Sequence, residues 1–145
     1  MYKRILIPTD GSALSRKAVK EGVKLAKSVG AEVEAFTATP RFRVFTLDST
    51  MATDAAAEYR RDSKKAAKKA LDAVRKAAAS AGVPCRTEHV VSDYPYEAII
   101  QAAKRDRCDL IFMASHGRKG VAGVLLGSET AKVLTHSKTP VLVCR

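Results

Sequence analysis

Five short apolar runs alternate with stretches of helical period along the whole chain, and that alternation limits the fold more than any other feature. The runs are Arg4–Pro8, Glu32–Thr39, Arg86–Val91, Asp109–Ala114 and Pro140–Cys144. Strand and helix in regular succession mean crossover connections and a parallel sheet. The expected fold is therefore α/β, a doubly wound five-stranded sheet with helices on both faces. Runs one, four and five are nearly all apolar, as strands covered on both faces are. Runs two and three mix polar and apolar residues, which places them nearer an edge.

The helices carry start and stop signals. Ser12 reads as an N-cap, Leu14, Ala18, Val19, Leu25, Ala26 and Val29 follow at helical spacing, and Gly30 ends the helix. A second helix spans about Asp54 to Ala81 and stops at Gly82-Val83-Pro84. A third begins near Pro95, a good first-turn residue, and a fourth at Ser128. Between Pro40 and Thr53 no period is visible. That stretch holds Phe42 and Phe45, placed either to cap a ligand or to pack the connection onto the sheet end. The 145 residues suit one domain, 1–145.

Composition removes several classes. No run reaches the roughly 18 apolar residues of a membrane helix. The opening moves straight into a strand with no secretory apolar stretch, so a cytoplasmic protein is expected. Cys85, Cys108 and Cys144 are odd in number and far apart, which fits reduced thiols rather than a disulfide frame or zinc site. The net charge of +11 raises nucleic acid as a partner, and much of the excess lies in 58–82. There Arg60, Arg61, Lys64, Lys65, Lys68 and Lys69 recur at helical spacing, read as opposite Ala66, Ala67, Ala70, Leu71, Val74 and Ala78. Such a run is first of all a solvated face. It has no interleaved aromatics and no nucleic-acid module, so nucleic acid is not the expected partner.

The site should lie in two loops. In an open parallel sheet, ligands sit beyond the carboxyl ends of strands where strand order reverses. Pro8-Thr9-Asp10-Gly11-Ser12 follows the first run, and Ala114 to Ser128 follows the fourth. If those two strands are neighbours, both loops border one crevice. Gly117 and Gly127 would let backbone N–H groups meet an anion. Ser128 opens the last helix, whose free N–H groups and dipole favour phosphate. Asp10 is suited to accept from ribose hydroxyls, while Pro8 and Ala38 could flank a base. Neither GxxxxGK[ST] nor GxGxxG is present, and glycines before a helix also serve as a plain tight turn. Ser115-His116 looks like a catalytic pair, but no acidic residue is placed to orient the His. Arg118 and Lys119 are cations within reach of a phosphate.

These residues resemble the universal stress protein family. Its nucleotide motif is Gly, two residues, Gly, nine residues, Gly, then Ser or Thr. Ala114-Ser115-His116-Gly117, the nine residues Arg118 to Leu126, and Gly127-Ser128 match three of the four positions, Ala114 standing where the family usually has Gly. The opening ILIPTDGS and the ending KVLTHSKTPVLVCR are similar to the family's first and last elements, so the resemblance covers nearly the whole chain.

The resemblance implies strand order 3-2-1-4-5 and the binding of ATP, ADP or AMP, with Mg²⁺ or Mn²⁺ to neutralise the phosphates and no metal ligand assignable in the chain. It places Pro8, Thr9 and Asp10, with Ala38, on one wall of the nucleotide site. Met113, Ala114 and His116 form the other wall, Ala114 on the ribose side. Gly117, Gly127 and Ser128 would meet the phosphates, with Glu129 and Thr130 beside them, where the like-charged Glu129 must point away or share a metal. It also implies a nucleotide-dependent regulator or sensor in stress response, and a homodimer through the last strand, by Val141, Leu142 and Val143. Two other readings stay open: a slow ATP hydrolase or nucleotidyl-transfer enzyme on the same scaffold, and a nucleotide-free dimeric adaptor.

Overall fold

The computed structural model describes residues 1–43, 48–118, 120 and 125–145. In chain order the elements are β1 (Arg4–Pro8), α1 (Ala13–Val29), β2 (Glu32–Thr39), α2 (Ser49–Ala81), β3 (Cys85–Val91), α3 (Pro95–Arg105), β4 (Leu110–Ala114), α4 (Ser128–His136) and β5 (Val141–Cys144). All pairings are parallel and the order is β3-β2-β1-β4-β5, as expected.

The two-residue period of the strands builds two cores. Ile5, Ile7, Val33, Ala35, Leu110 and Phe112 face α1 and α2. Leu6, Phe36, Ile111 and Met113 point the other way, toward Ile99, Ala102 and Ala103 of α3 and Val133 of α4. Cys108 is buried and Cys85 and Cys144 are half-buried, all as free thiols.

The edges follow the expected order, with β3 outermost on one side and β5 on the other. Val33 to Thr37 of β2 are all buried, because β3 continues the sheet beyond it. The apolar β5 is an edge strand, and its Leu142 is 39% exposed. Its composition therefore does not mark a central position.

Helix α1 starts where Ser12 accepts a hydrogen bond from the N–H of Ser15, and it ends on Gly30 at φ +71°, a left-handed position that favours glycine. Helix α2 begins five residues earlier than expected, at Ser49, because Asp48 caps it, accepting from the N–H groups of Thr50 and Met51. Its buried residues are confined to Ala67, Leu71, Val74 and Ala78. The first turns thus bury no residue, which is why no apolar period announced them. Phe42 packs on Tyr59, with ring centroids 5.1 Å apart, while Phe45 lies outside the described residues. No described helix is long and apolar enough to cross a membrane.

Candidate functional site

The strand order makes β1 and β4 neighbours, with Ile5 opposite Leu110 and Leu6 opposite Ile111. The chain leaves β1 toward α1 on one face and leaves β4 toward α4 on the other. The reversal of strand order therefore falls between these two strands, and both candidate loops border it.

The first loop is held by its own side chains. Thr9 is 7% exposed and its N–H donates to the Phe36 carbonyl at 2.8 Å. Its Oγ1 accepts from the Ser15 hydroxyl at 2.7 Å and from the Gly11 N–H at 3.2 Å. The Thr9 hydroxyl thus shapes the turn rather than facing the crevice. Ser15, which sequence reading passed over as ordinary helix, also accepts from the Asp10 N–H at 3.3 Å. Gly11 has φ +76°, the strained point of the turn.

Asp10 bridges the two loops. Its Oδ1 accepts from the Ser12 N–H at 2.9 Å and its Oδ2 from the Arg118 N–H at 2.8 Å. Gly117 makes this approach possible, since a Cβ there would collide with Asp10 Oδ2. Burial pushes the Asp10 carboxyl up, but the donors on Ser12 and Arg118 outweigh it and hold it below the usual carboxylate range. A depressed folded-state value means stabilisation that is complete above the unfolded value, about 3.9, and lost as pH falls through the lower folded value. We expect urea unfolding of the wild type to weaken below about pH 4 more steeply than that of Asp10→Asn. Parallel pH profiles for the two proteins would remove Asp10 as the source.

The second loop folds around His116. The Gly127 N–H donates to the Ser115 carbonyl at 2.7 Å, and the Gly120 N–H to the Gly117 carbonyl at 3.0 Å. A Cβ on Gly127 would stand 2.8 Å from His116 Cβ and 3.1 Å from its Cα. A Cβ on Gly120 would collide with the His116 ring. Gly127 sits at φ −69°, so it clears space instead of supplying a left-handed turn. Ser115 and His116 do touch, at 3.2 Å between Oγ and Nδ1. Among the described residues the His116 ring bonds to Ser115 and to no carboxylate, so none orients it. Arg118 is exposed with its guanidinium beside Gly11; Lys119 lies outside the described residues.

At the start of α4, Gly127 provides no side-chain cap, unlike Ser12 and Asp48 at α1 and α2. Ser128 is exposed, and its hydroxyl has no partner among the described residues. Thr130 is 2% exposed and its hydroxyl donates to the Ala114 carbonyl at 3.0 Å, so it ties α4 to β4. Glu129 turns away: its carboxylate accepts from the Tyr96 N–H at 2.9 Å and lies 3.4 Å from Lys132 Nζ. Its carboxylate thus reaches the start of α3, while Glu129 itself stands in the first turn of α4. Pro8 ends β1 opposite Phe36, and β2 continues past it through half-buried Ala38. Met113 is buried in the α3 and α4 core. Two grooves among the described residues lie elsewhere, one at the amino ends of the strands near Lys3, Gly30 and Gly82, the other beside α3. Neither gathers the loop residues named above.

The match to the family model is described as "Universal stress protein family" and runs over residues 1–145. The chain belongs to the universal stress protein family. It is 33% identical over 145 residues to the universal stress protein MJ0531 of Methanocaldococcus jannaschii, covering 100% of this chain and 83% of that protein. The solved structure of MJ0577, from the same organism, superposes with a TM-score of 0.81 at 28% identity, covering 99% of this chain and 95% of the other. A universal stress protein in complex with cAMP superposes with a TM-score of 0.73 at 25% identity, covering 99% and 97%. Family members bound to AMP, from Arabidopsis thaliana, and to dAMP, from Archaeoglobus fulgidus, share the fold at 17% and 16% identity, with TM-scores of 0.65 and 0.66. The AMP-bound structure covers 97% of this chain and 90% of its own, the dAMP-bound one 99% and 98%. Structural relatives within the universal stress protein fold thus bind adenine nucleotides.

Against the family motif, Ala114 is the departure. Its methyl group joins the core under α1, 8% exposed, and its backbone is not among the positive-φ residues. This universal stress protein therefore accommodates alanine there without distorting β4.

Proposed function

We propose that this protein is a nucleotide-dependent regulator or sensor in stress response that binds ATP or a related adenine nucleotide beyond β1 and β4. The observation that carries the reading is the uncapped start of α4, with the Ser128 hydroxyl unpartnered beside it. Unclaimed N–H groups at a helix start, with the positive end of the dipole, attract phosphate. Glu129 directs its carboxylate to the Tyr96 N–H of α3. Asp10 and the Ala38 end of β2 stand where sugar and base would lie.

A divalent cation would arrive on the phosphates. Among the described residues no group of three His, Cys, Asp or Glu side chains could hold one. Without a carboxylate behind His116, the site has no formed general base, and turnover is expected to be slow or absent. Mass spectrometry of protein purified without added nucleotide tests the reading. An adenine nucleotide should co-purify, or ATP should bind on addition; absence of both would favour the adaptor reading.

The edge strand β5 supports a homodimer. An apolar edge presents unpaired backbone groups, and Leu142 and Leu134 are 39% and 41% exposed. A two-fold related copy would satisfy the edge and cover them. Sedimentation at micromolar concentration should show a dimer, and Leu142→Asp should yield monomer. A dimer that survives this change uses another surface.

A further inference from the structure

The cations of α2 form an exposed and largely unpaired face. Arg60, Arg61, Lys64, Lys65, Lys68 and Lys69 are all exposed. Only Lys68 has an ion pair, with Asp72 at 2.8 Å; the other five have no hydrogen bond or ion pair among the described residues. Glu58 and Asp62 lie on the same helix and form no ion pair with the six among the described residues. Ala67, Leu71, Val74 and Ala78 are buried, while all six cations are exposed along the helix. At helical spacing, Arg60, Lys64 and Lys68 make one row, and Arg61, Lys65 and Lys69 a second. Like charges four residues apart repel and weaken a helix. A face that served only for solvation would be better built from mixed charges.

We propose that this face binds the phosphate backbone of nucleic acid without reading its bases. The missing aromatics and missing module argue against sequence recognition, and backbone binding needs neither. Neutralising phosphates and releasing their counterions requires only cations in reach. Cations four residues apart rise about 6 Å along the helix axis, and a duplex presents a charge every ~1.7 Å of its axis. The spacing of the cations is therefore no barrier to contact with phosphates. A lipid surface fits less well, because an interfacial helix needs large apolar side chains beside its cations, and from Arg60 onward no large exposed apolar residue lies on α2. An acidic protein fits less well for the same lack of an anchor. The inference stands apart from the adenine site, since none of the six belongs to its loops.

Fluorescence anisotropy with a labelled 20-base-pair duplex of mixed sequence tests it. With about five phosphate contacts, the slope of log K against log salt should be roughly −4 to −5 between about 50 and 200 mM. Lys64→Gln, Lys65→Gln, Lys68→Gln and Lys69→Gln combined should weaken binding at least about tenfold at low salt and flatten the slope toward about −1. A control removes the same charge from the opposite face of the sheet: Lys104→Gln, Arg107→Gln, Lys132→Gln and Lys138→Gln. It should lose less than about threefold, since only the distant field changes. If circular dichroism shows the first variant misfolded, Arg60→Gln with Lys64→Gln and Lys69→Gln serves in its place. Four results would overturn the proposal: no salt-dependent binding by the wild type, equal losses in variant and control, tighter binding to phosphatidylserine vesicles than to the duplex, or strong preference among unrelated sequences.

Discussion

Gly127→Val should weaken ATP binding at least about tenfold, a loss of about 1.4 kcal/mol or more. The reason is geometric. The first carbon of any side chain at this position would stand 2.8 Å from His116 Cβ and 3.1 Å from His116 Cα. The second of these is backbone and cannot rotate aside. The start of α4 must therefore move, taking with it the 2.7 Å hydrogen bond from the Gly127 N–H to the Ser115 carbonyl. The N–H groups that would meet phosphate move too, and each bond to a charged group contributes about 1.5–3 kcal/mol. Gly127→Ala makes the same first contact with less bulk and should fall between wild type and valine. Titration calorimetry on folded protein measures the series. An unchanged affinity for valine would remove the α4 terminus as the phosphate subsite.

Gly22→Val should destabilise the fold by about 2–3 kcal/mol, in the range of overpacked cores. Gly22 is buried in α1, where the helix crosses β1 and β4. A Cβ there would lie 2.8 Å from Ile7 Cδ1 and 3.0 Å from Phe112 Cδ1. Ile7 is fully buried and Phe112 is 4% exposed, so neither has space to retreat. Valine's better helix propensity returns only a few tenths of a kcal/mol. Shortening the opposing ring by Phe112→Leu should restore part of the loss. Urea unfolding of the two single variants and the double measures the coupling. Strict additivity would mean that the two residues do not press on each other.

Much of this architecture was legible because local and tertiary signals agree. Ser12 and Gly30 bound α1 as their chemistry requires, and the alternation of runs leads to a parallel sheet. Where they part, reading fails for identifiable reasons. The first turns of α2 bury nothing, so Asp48 was the one signal, and a capping Asp looks like any loop Asp. The apolar composition of β5 alone reads as a central strand, because composition reports burial needs and not neighbours, whereas the order 3-2-1-4-5 makes it an edge. In the candidate site, Gly117 and Gly127 make room for Asp10 and His116, a steric role that the spacing of glycines does not disclose. Ser15 carried no sequence signal at all, since a serine three residues past a cap is ordinary. The partner of Glu129 lies on a different helix, and no spacing rule connects 129 with 96.

Helix α2 is 33 residues long, about 50 Å at 1.5 Å per residue. Near its middle, Ala70 packs beside the Asp10 turn, its Cβ 3.5 Å from where a Gly11 side chain would start. From Ala70 back to Thr50 is a rigid arm of about 30 Å that buries only Ala67 along its length. Rotating such an arm by about 5° at its root swings the tip by roughly 2–3 Å, by simple leverage over that length. A displacement of a few tenths of an ångström at the Asp10 turn is thus multiplied several-fold at the far end of the rod.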